Sequence, residues 1–143
     1  MADMGALPVG EYGTPGPLRD RLVAAILSGR KTATSSLYEE YRRFGEDLPQ
    51  VGQREIVLDS HQHPVCLTET VAVEVLPVSD MKLDFALAEG EGFTSVDDWW
   101  AAHRTFWGSE DYRTHLGQPE IELDENTLVV CQWFRMLPLP SSR

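Results

Sequence analysis

The sequence predicts an α+β fold around a curved sheet or barrel, and three observations carry that prediction. Strand-like runs recur far apart in the chain, in "QREIVLD", "VCLTETVAVEVLPV" and "NTLVVCQWFRML". Two longer helical patterns alternate with them, "TPGPLRDRLVAAILSG" and "SVDDWWAAHRTFW". No internal repeat or low-complexity linker divides the 143 residues, so one domain is expected over 18–143.

Each element has a local reason. The opening "MADMGALPVGEYGTPGP" is rich in Gly and Pro and reads as a flexible arm over 1–17. It lacks a basic n-region and an apolar core, so no signal peptide is expected. Pro17 suits a first helical turn, and Leu18, Leu22, Ala25 and Ile26 form an apolar stripe. Gly29 stands where a helix ends. Residues 30–36 read as extended or irregular, and "LYEEYRRFG" as one or two helical turns closed by Gly45. A turn at Pro49–Gly52 precedes a strand, and "SHQHP" turns the chain into a long strand with Val71, Val73 and Val75 on one face. A short helical piece follows over 83–88. The next helix begins at Thr94 or Ser95, where Ser95-x-x-Asp98 resembles a capping box. Val96, Trp99, Trp100, His103, Phe106 and Trp107 share one face of it.

Composition narrows the class. Hydrophobic residues make up 42% and charged residues 24%, as in soluble globular domains. No apolar run approaches the ~20 residues of a membrane span, and no membrane partner is expected. Cys66 and Cys131 lie in apolar strand-like runs and read as buried free thiols of a cytoplasmic protein. The formal net charge is −11, yet residues 19–54 hold seven Lys/Arg against five acids. The remainder holds five against 18. This balance excludes tight nonspecific duplex-DNA binding but allows a local positive pocket for one nucleotide or a short single strand.

That pocket is expected at "SGRKTATSS", residues 28–36. It is not a phosphate-binding P-loop, because Arg30 separates Gly29 from Lys31 and Ala24 holds the earlier glycine position. What remains is Gly29-x-Lys31-x-x-Thr34. Lys31 suits an oxyanion or phosphate, or a general base if desolvated, and Thr34 suits a nucleophile. Residues three apart on a strand point to opposite faces, so a kink, bulge or tight turn is expected within 31–34. On spacing alone, a solvated helix-to-strand connection is the better account. "AEGEG", residues 88–92, sets Glu89 and Glu91 in a glycine-punctuated loop that suits close ligand approach; an exposed acidic loop explains it more simply. His61 and His63 belong to a solvated turn, and no Cys/His set has metal spacing, so no metal ligands are assigned. His103 reads as partly buried. The tryptophans are mostly core, with one placed to stack on a base.

In this order, "ILSGRKTATSSL", "LPQVGQREIVLDSHQHPVCLTETVAVEVLPVSDM" and "FALAEGEGFTSVDDWWAAHRTFW" resemble the ASCH domain family of the PUA-like superfamily, its longer bacterial subgroup in particular. The resemblance spans roughly residues 18–137 and implies a PUA-like curved β-barrel with flanking helices that binds RNA in a cleft. Short members resembling this chain at the signature remove the acetyl group from N4-acetylcytidine with a lysine, a threonine and a glutamate. These correspond here to Lys31, Thr34 and the Glu89 of Ala86-x-x-Glu89. A longer bacterial member is a ribonuclease acting on single-stranded RNA with divalent cations.

The resemblance therefore implies an RNA- or nucleoside-directed hydrolase, a ribonuclease first. An N4-acetylcytidine amidohydrolase and a non-catalytic RNA- or nucleotide-binding module are the alternatives. The expected partner is single-stranded RNA or a modified pyrimidine nucleoside, and a divalent cation is needed only for the ribonuclease. Lys31, Thr34 and Glu89 would be catalytic. Gly29, Arg30, Ser35, Glu91, Trp99, His103 and Arg104 would hold substrate, with Arg30 or Arg104 helping Lys31 stabilise a phosphate.

Overall fold

A computed structural model of the chain describes residues 7–117 and 121–140. Its strands are β1 (Val9–Gly10), β2 (Ala33–Leu37), β3 (Arg54–Leu58), β4 (Pro64–Pro77) and β5 (Leu128–Leu137). They form one sheet in the order β1–β3–β4–β5–β2, curled into a half-barrel. β1 runs parallel to β3, and the other pairs are antiparallel. β4 and β5 form the backbone of the sheet, paired from Leu67–Leu137 to Pro77–Leu128. A register shift between Thr70 and Ala72 leaves Val71 unpaired and 47% exposed. Val71 therefore does not share a face with Val73 and Val75. Such a bulge bends and twists its strand, which helps curl the sheet.

The helices are α1 (Pro17–Leu27), α2 (Tyr38–Phe44), α3 (Leu83–Ala88), α4 (Val96–Trp107) and α5 (Glu110–Leu116). Among the described residues, none is long and apolar enough to cross a membrane. α4 starts as its capping box predicts, with the Asp98 N–H donating to Ser95 Oγ at 3.0 Å. α5 and β1 were not anticipated.

α1 is rotated from its expected stripe. Arg19, Val23, Ala25 and Ile26 face inward, while Leu18 is exposed and Leu22 half-buried. The buried Arg19 guanidinium is accepted because the Gly13 carbonyl and Gln62 Oε1 take its N–H groups. Leu18 and Leu22 are thereby left to line a cleft.

Two apolar cores flank that cleft. Tyr12, Val23, Ile26, Val57, Cys66 and Phe134 pack under α1. The larger core gathers Ala33, Leu37, Phe85, Trp99, Trp107, Val129 and Cys131, with others, under α3 to α5. Both cysteines are free and buried, as expected.

The arm expected over 1–17 is tied down well before Pro17. Ile56 N–H donates to the Pro8 carbonyl at 2.9 Å, Val9 pairs with Ile56, and Tyr12 packs on Phe134 with ring centroids 6.2 Å apart. The cause is the free edge of β3, which offers main-chain partners that the local sequence does not reveal. Residues 1–6 lie outside the described residues.

Candidate active site

The signature glycine ends α1 and aims the chain. Gly29 takes φ +83°, and the Lys31 N–H returns to the Ala25 carbonyl at 3.0 Å. Lys31 and Thr32 then run outside any element, and β2 begins only at Ala33. Of the kink, bulge or tight turn expected within 31–34, no bulge occurs, since β2 pairs with β5 without a register shift; Lys31 escapes strand alternation because it precedes the strand.

A second glycine brings the acidic loop against this segment. Gly90 sits at φ +68°, and a Cβ there would lie 2.5 Å from the Arg30 carbonyl oxygen and 2.7 Å from the Lys31 Cα. Only glycine satisfies both the backbone angle and the contact. Thr32 N–H donates to the Ala88 carbonyl at 2.7 Å and locks the approach.

Lys31 and Glu89 meet there, 2% and 1% exposed. The ammonium lies 3.6 Å from Glu89 Oε1. Its three N–H donors find the Ala33 carbonyl at 2.9 Å, the Glu89 carbonyl at 3.2 Å and Glu91 Oε2 at 3.4 Å.

The Glu89 carboxylate is asymmetric. Oε2 accepts from Ser35 Oγ at 2.9 Å and from the Trp99 indole N–H, and it lies 3.3 Å from His103 Nε2. Among the described residues, Oε1 faces only Lys31. His103 Nδ1 is 2.8 Å from the Trp99 carbonyl, which can only accept, so this nitrogen carries a proton.

Burial raises the Glu89 carboxyl. The hydrogen bond and charge of His103, the charge of Lys31 and the Trp99 N–H outweigh it and hold the group below its ordinary 4.5. Burial also opposes a charged His103. Glu89, the Trp99 carbonyl and Glu91 overcome that and raise it above 6.5.

The pair opens on a cleft of about 390 Å³ that straddles the free edge of β2. Lys31, Thr34, Ser35 and Ser36 form its floor. Tyr12, Leu18 and Leu22 form one wall, and Phe93, His103 and Phe106 the other. Because the cleft wraps an edge, side chains from both strand faces reach it. Thr34 and Lys31 thus line one hollow despite their spacing. The Thr34 hydroxyl makes no hydrogen bond to Lys31 or Glu89; the hydroxyl that holds Glu89 is that of Ser35.

Other expected residues fall elsewhere. Trp99 is fully buried and cannot stack on a base at the mouth. Phe93 and the 52% exposed Phe106 offer rings instead. Arg30 and Arg104 are exposed outside the cleft, Arg104 with its guanidinium 5.8 Å from the Trp100 ring centroid. Gly29 shapes the backbone and does not line the cleft. Sequence reasoning missed Tyr12, Glu40 and Tyr112, which are brought in by β1 pairing and by the Tyr112 hydroxyl donating to Glu40 Oε1 at 2.7 Å. No local signal marks them.

Glu89, Glu91 and His103 bring one ligand atom each within 4.8 Å of one another. A divalent cation fits them poorly, because the Lys31 ammonium already pairs with both carboxylates, at 3.4 and 3.6 Å, and would repel it.

Comparison with known proteins agrees with this architecture. A structure of an ASCH domain from Lactobacillus crispatus JV V101 is 34% identical at a TM-score of 0.72, covering 83% of this chain and 72% of its own. A DUF984-family protein from Enterococcus faecalis V583 is 31% identical at a TM-score of 0.73, covering 85% of this chain and 69% of its own. No curated protein matches the chain. The family profile described as the ASCH domain matches residues 11–138, from just after β1 through the Lys31–Glu89 pair and the last strand. The chain belongs to the ASCH domain family.

Proposed function

We propose that the chain is an amidohydrolase that removes the acetyl group from N4-acetylcytidine. One observation favours this over ribonuclease chemistry: the cleft is poor in uncommitted positive charge. Four glutamates (Glu11, Glu40, Glu89 and Glu91) line it with one lysine, and that lysine already faces two of them. The guanidiniums that a pentacoordinate phosphate would call on, those of Arg30 and Arg104, lie outside. A polyanionic backbone is repelled by such a site, whereas a neutral acylated base is not. Leu18 and Leu22 on one wall and Phe93 and Phe106 on the other suit a flat ring.

In this reading the Thr34 hydroxyl attacks the acetyl carbon, and its proton passes to Glu89 Oε1, the oxygen not saturated by donors. Lys31 stabilises the negative charge that develops. The C–N4 bond then breaks, and the proton leaves with the amine. Water, deprotonated by the same carboxylate, releases acetate and restores Thr34.

Purified protein incubated with N4-acetylcytidine is expected to release cytidine and acetate, and to leave labelled single-stranded RNA intact. Thr34→Val lowers acetate release on the order of 10³-fold or more. RNA cleavage without acetate release restores the ribonuclease reading. Saturable binding without either product makes the chain a binding module.

A further inference from the structure

Of the β2 residues that line the cleft, Thr34, Ser35 and Ser36, only Ser35 turns its main-chain N–H away from β5. In an antiparallel pair, hydrogen-bonded and non-hydrogen-bonded residues alternate. Phe134 N–H donates to the Thr32 carbonyl at 2.9 Å, and the register runs unbroken from Ala33–Trp133 to Leu37–Val129. Thr34 and Ser36 therefore point their main-chain groups at β5, and Ala33 and Ser35 point theirs away. Among the described residues no strand lies on that side, because β2 ends the sheet. Along this edge the Ala33 carbonyl and the Ser35 N–H are consecutive groups. The first is taken by Lys31 Nζ at 2.9 Å. The second has no hydrogen-bond partner among the described residues. Ser35 and Lys31 both line the cleft.

We infer that the Ser35 main-chain N–H is the oxyanion donor of this site, binding the substrate's acyl oxygen beside the Lys31 ammonium. The inference rests on the amide-hydrolase reading and adds a residue that the Lys–Thr–Glu set does not contain. As the Thr34 oxygen bonds to the acyl carbon, the carbonyl π pair moves onto oxygen and that oxygen becomes the acceptor. When the pair returns, the C–N4 bond breaks and the proton held on Glu89 leaves on N4. A donor fixed in a strand needs no reorganisation as this charge appears, which makes such groups effective in acyl transfer. The donor follows the proposed nucleophile by one residue, so one short strand sets both.

The test removes the N–H and keeps the side chain. The α-hydroxy acid analogue of serine at position 35 turns the Thr34–Ser35 amide into an ester and retains Oγ for Glu89. Ser35→Pro is the second variant, compatible with the fold because proline is tolerated on edge strands whose N–H faces outward. Ser35→Ala, which loses only the bond to Glu89, is the comparison. With N4-acetylcytidine, the ester is expected to lower kcat by about 10²–10³-fold relative to wild type while changing KM by less than about threefold. Ser35→Pro should fall by a similar factor below Ser35→Ala. A folded ester or proline variant within threefold of its comparison overturns the inference and leaves the amidohydrolase reading standing. A wild type that releases no acetate overturns both.

Discussion

The Trp99 indole N–H donates to Glu89 Oε2, and both side chains are fully buried across a loop that separates α3 from α4. The tryptophan expected to touch substrate instead holds the carboxylate proposed to be catalytic. Trp99→Phe keeps most of the ring volume but removes this donor from a buried charge. It should cost about 1–3 kcal/mol by urea denaturation and lower kcat. Unchanged stability would show that Glu89 does not depend on the indole.

Gly90 sets the spacing of the whole site. Gly90→Ala forces a side chain at φ +68° into main-chain atoms of Arg30 and Lys31. Backbone strain alone is worth about 1–3 kcal/mol, and the neighbours are not flexible side-chain ends that could yield. Reduced stability should accompany loss of activity, because the Lys31–Glu89 pair moves apart. Gly92, with open space around its Cβ position, provides the control: Gly92→Ala bears only the cost of its own φ of +93°.

Stability should depend on pH through His103 and Glu89. His103 titrates above its ordinary 6.5 in the folded chain, so its contribution is complete below about 6.5 and disappears as pH rises through the folded value. Glu89 titrates below 4.5, so its contribution is complete above about 4.5 and disappears as pH falls through its lower folded value. Both contributions are present between about pH 4.5 and 6.5. Denaturation of wild type and His103→Gln across pH should give a difference that shrinks on the alkaline side. A difference constant from pH 5 to 9 would mean that His103 is not charged in the fold.

The two thiols should be silent. Burial, the largest cause at each, pushes Cys66 up to about 11 and Cys131 up to about 12. Since the thiolate is the reactive form, a thiol reagent at pH 8 should label neither cysteine until the chain is unfolded, when it should label both. Rapid labelling of the folded protein would place a cysteine outside its core.

What was legible in the sequence is what depends on near neighbours. Gly29 as a helix terminator, Ser95 as a cap, the 83–88 helix and the long strand followed from local chemistry. α5 carried a comparable signal: Ser109 Oγ accepts from the Tyr112 N–H, and Gly117 closes the helix at φ +75°. The partners of Glu89 were not legible, because Ser35, Trp99 and His103 meet it only through sheet pairing and helix packing. Arg30 and Arg104 show the opposite failure. Both had the right charge near the right motifs, but the chain leaving α1 and the turn of α4 point them to solvent. Leu18 and Leu22 had a core-like pattern, and Arg19 took the buried side of α1 because two carbonyl oxygens were waiting for it.

If the buried lysine and glutamate serve one open cleft that hydrolyses a neutral amide, both are needed for turnover. The decisive measurement is the initial rate of acetate release from N4-acetylcytidine by wild type, Lys31→Met and Glu89→Gln, with folding checked by circular dichroism. Wild type should turn over, and each folded variant should lose about 10²–10⁴-fold in kcat/KM. Equal rates in wild type and a folded variant, or no acetate from wild type, would contradict it.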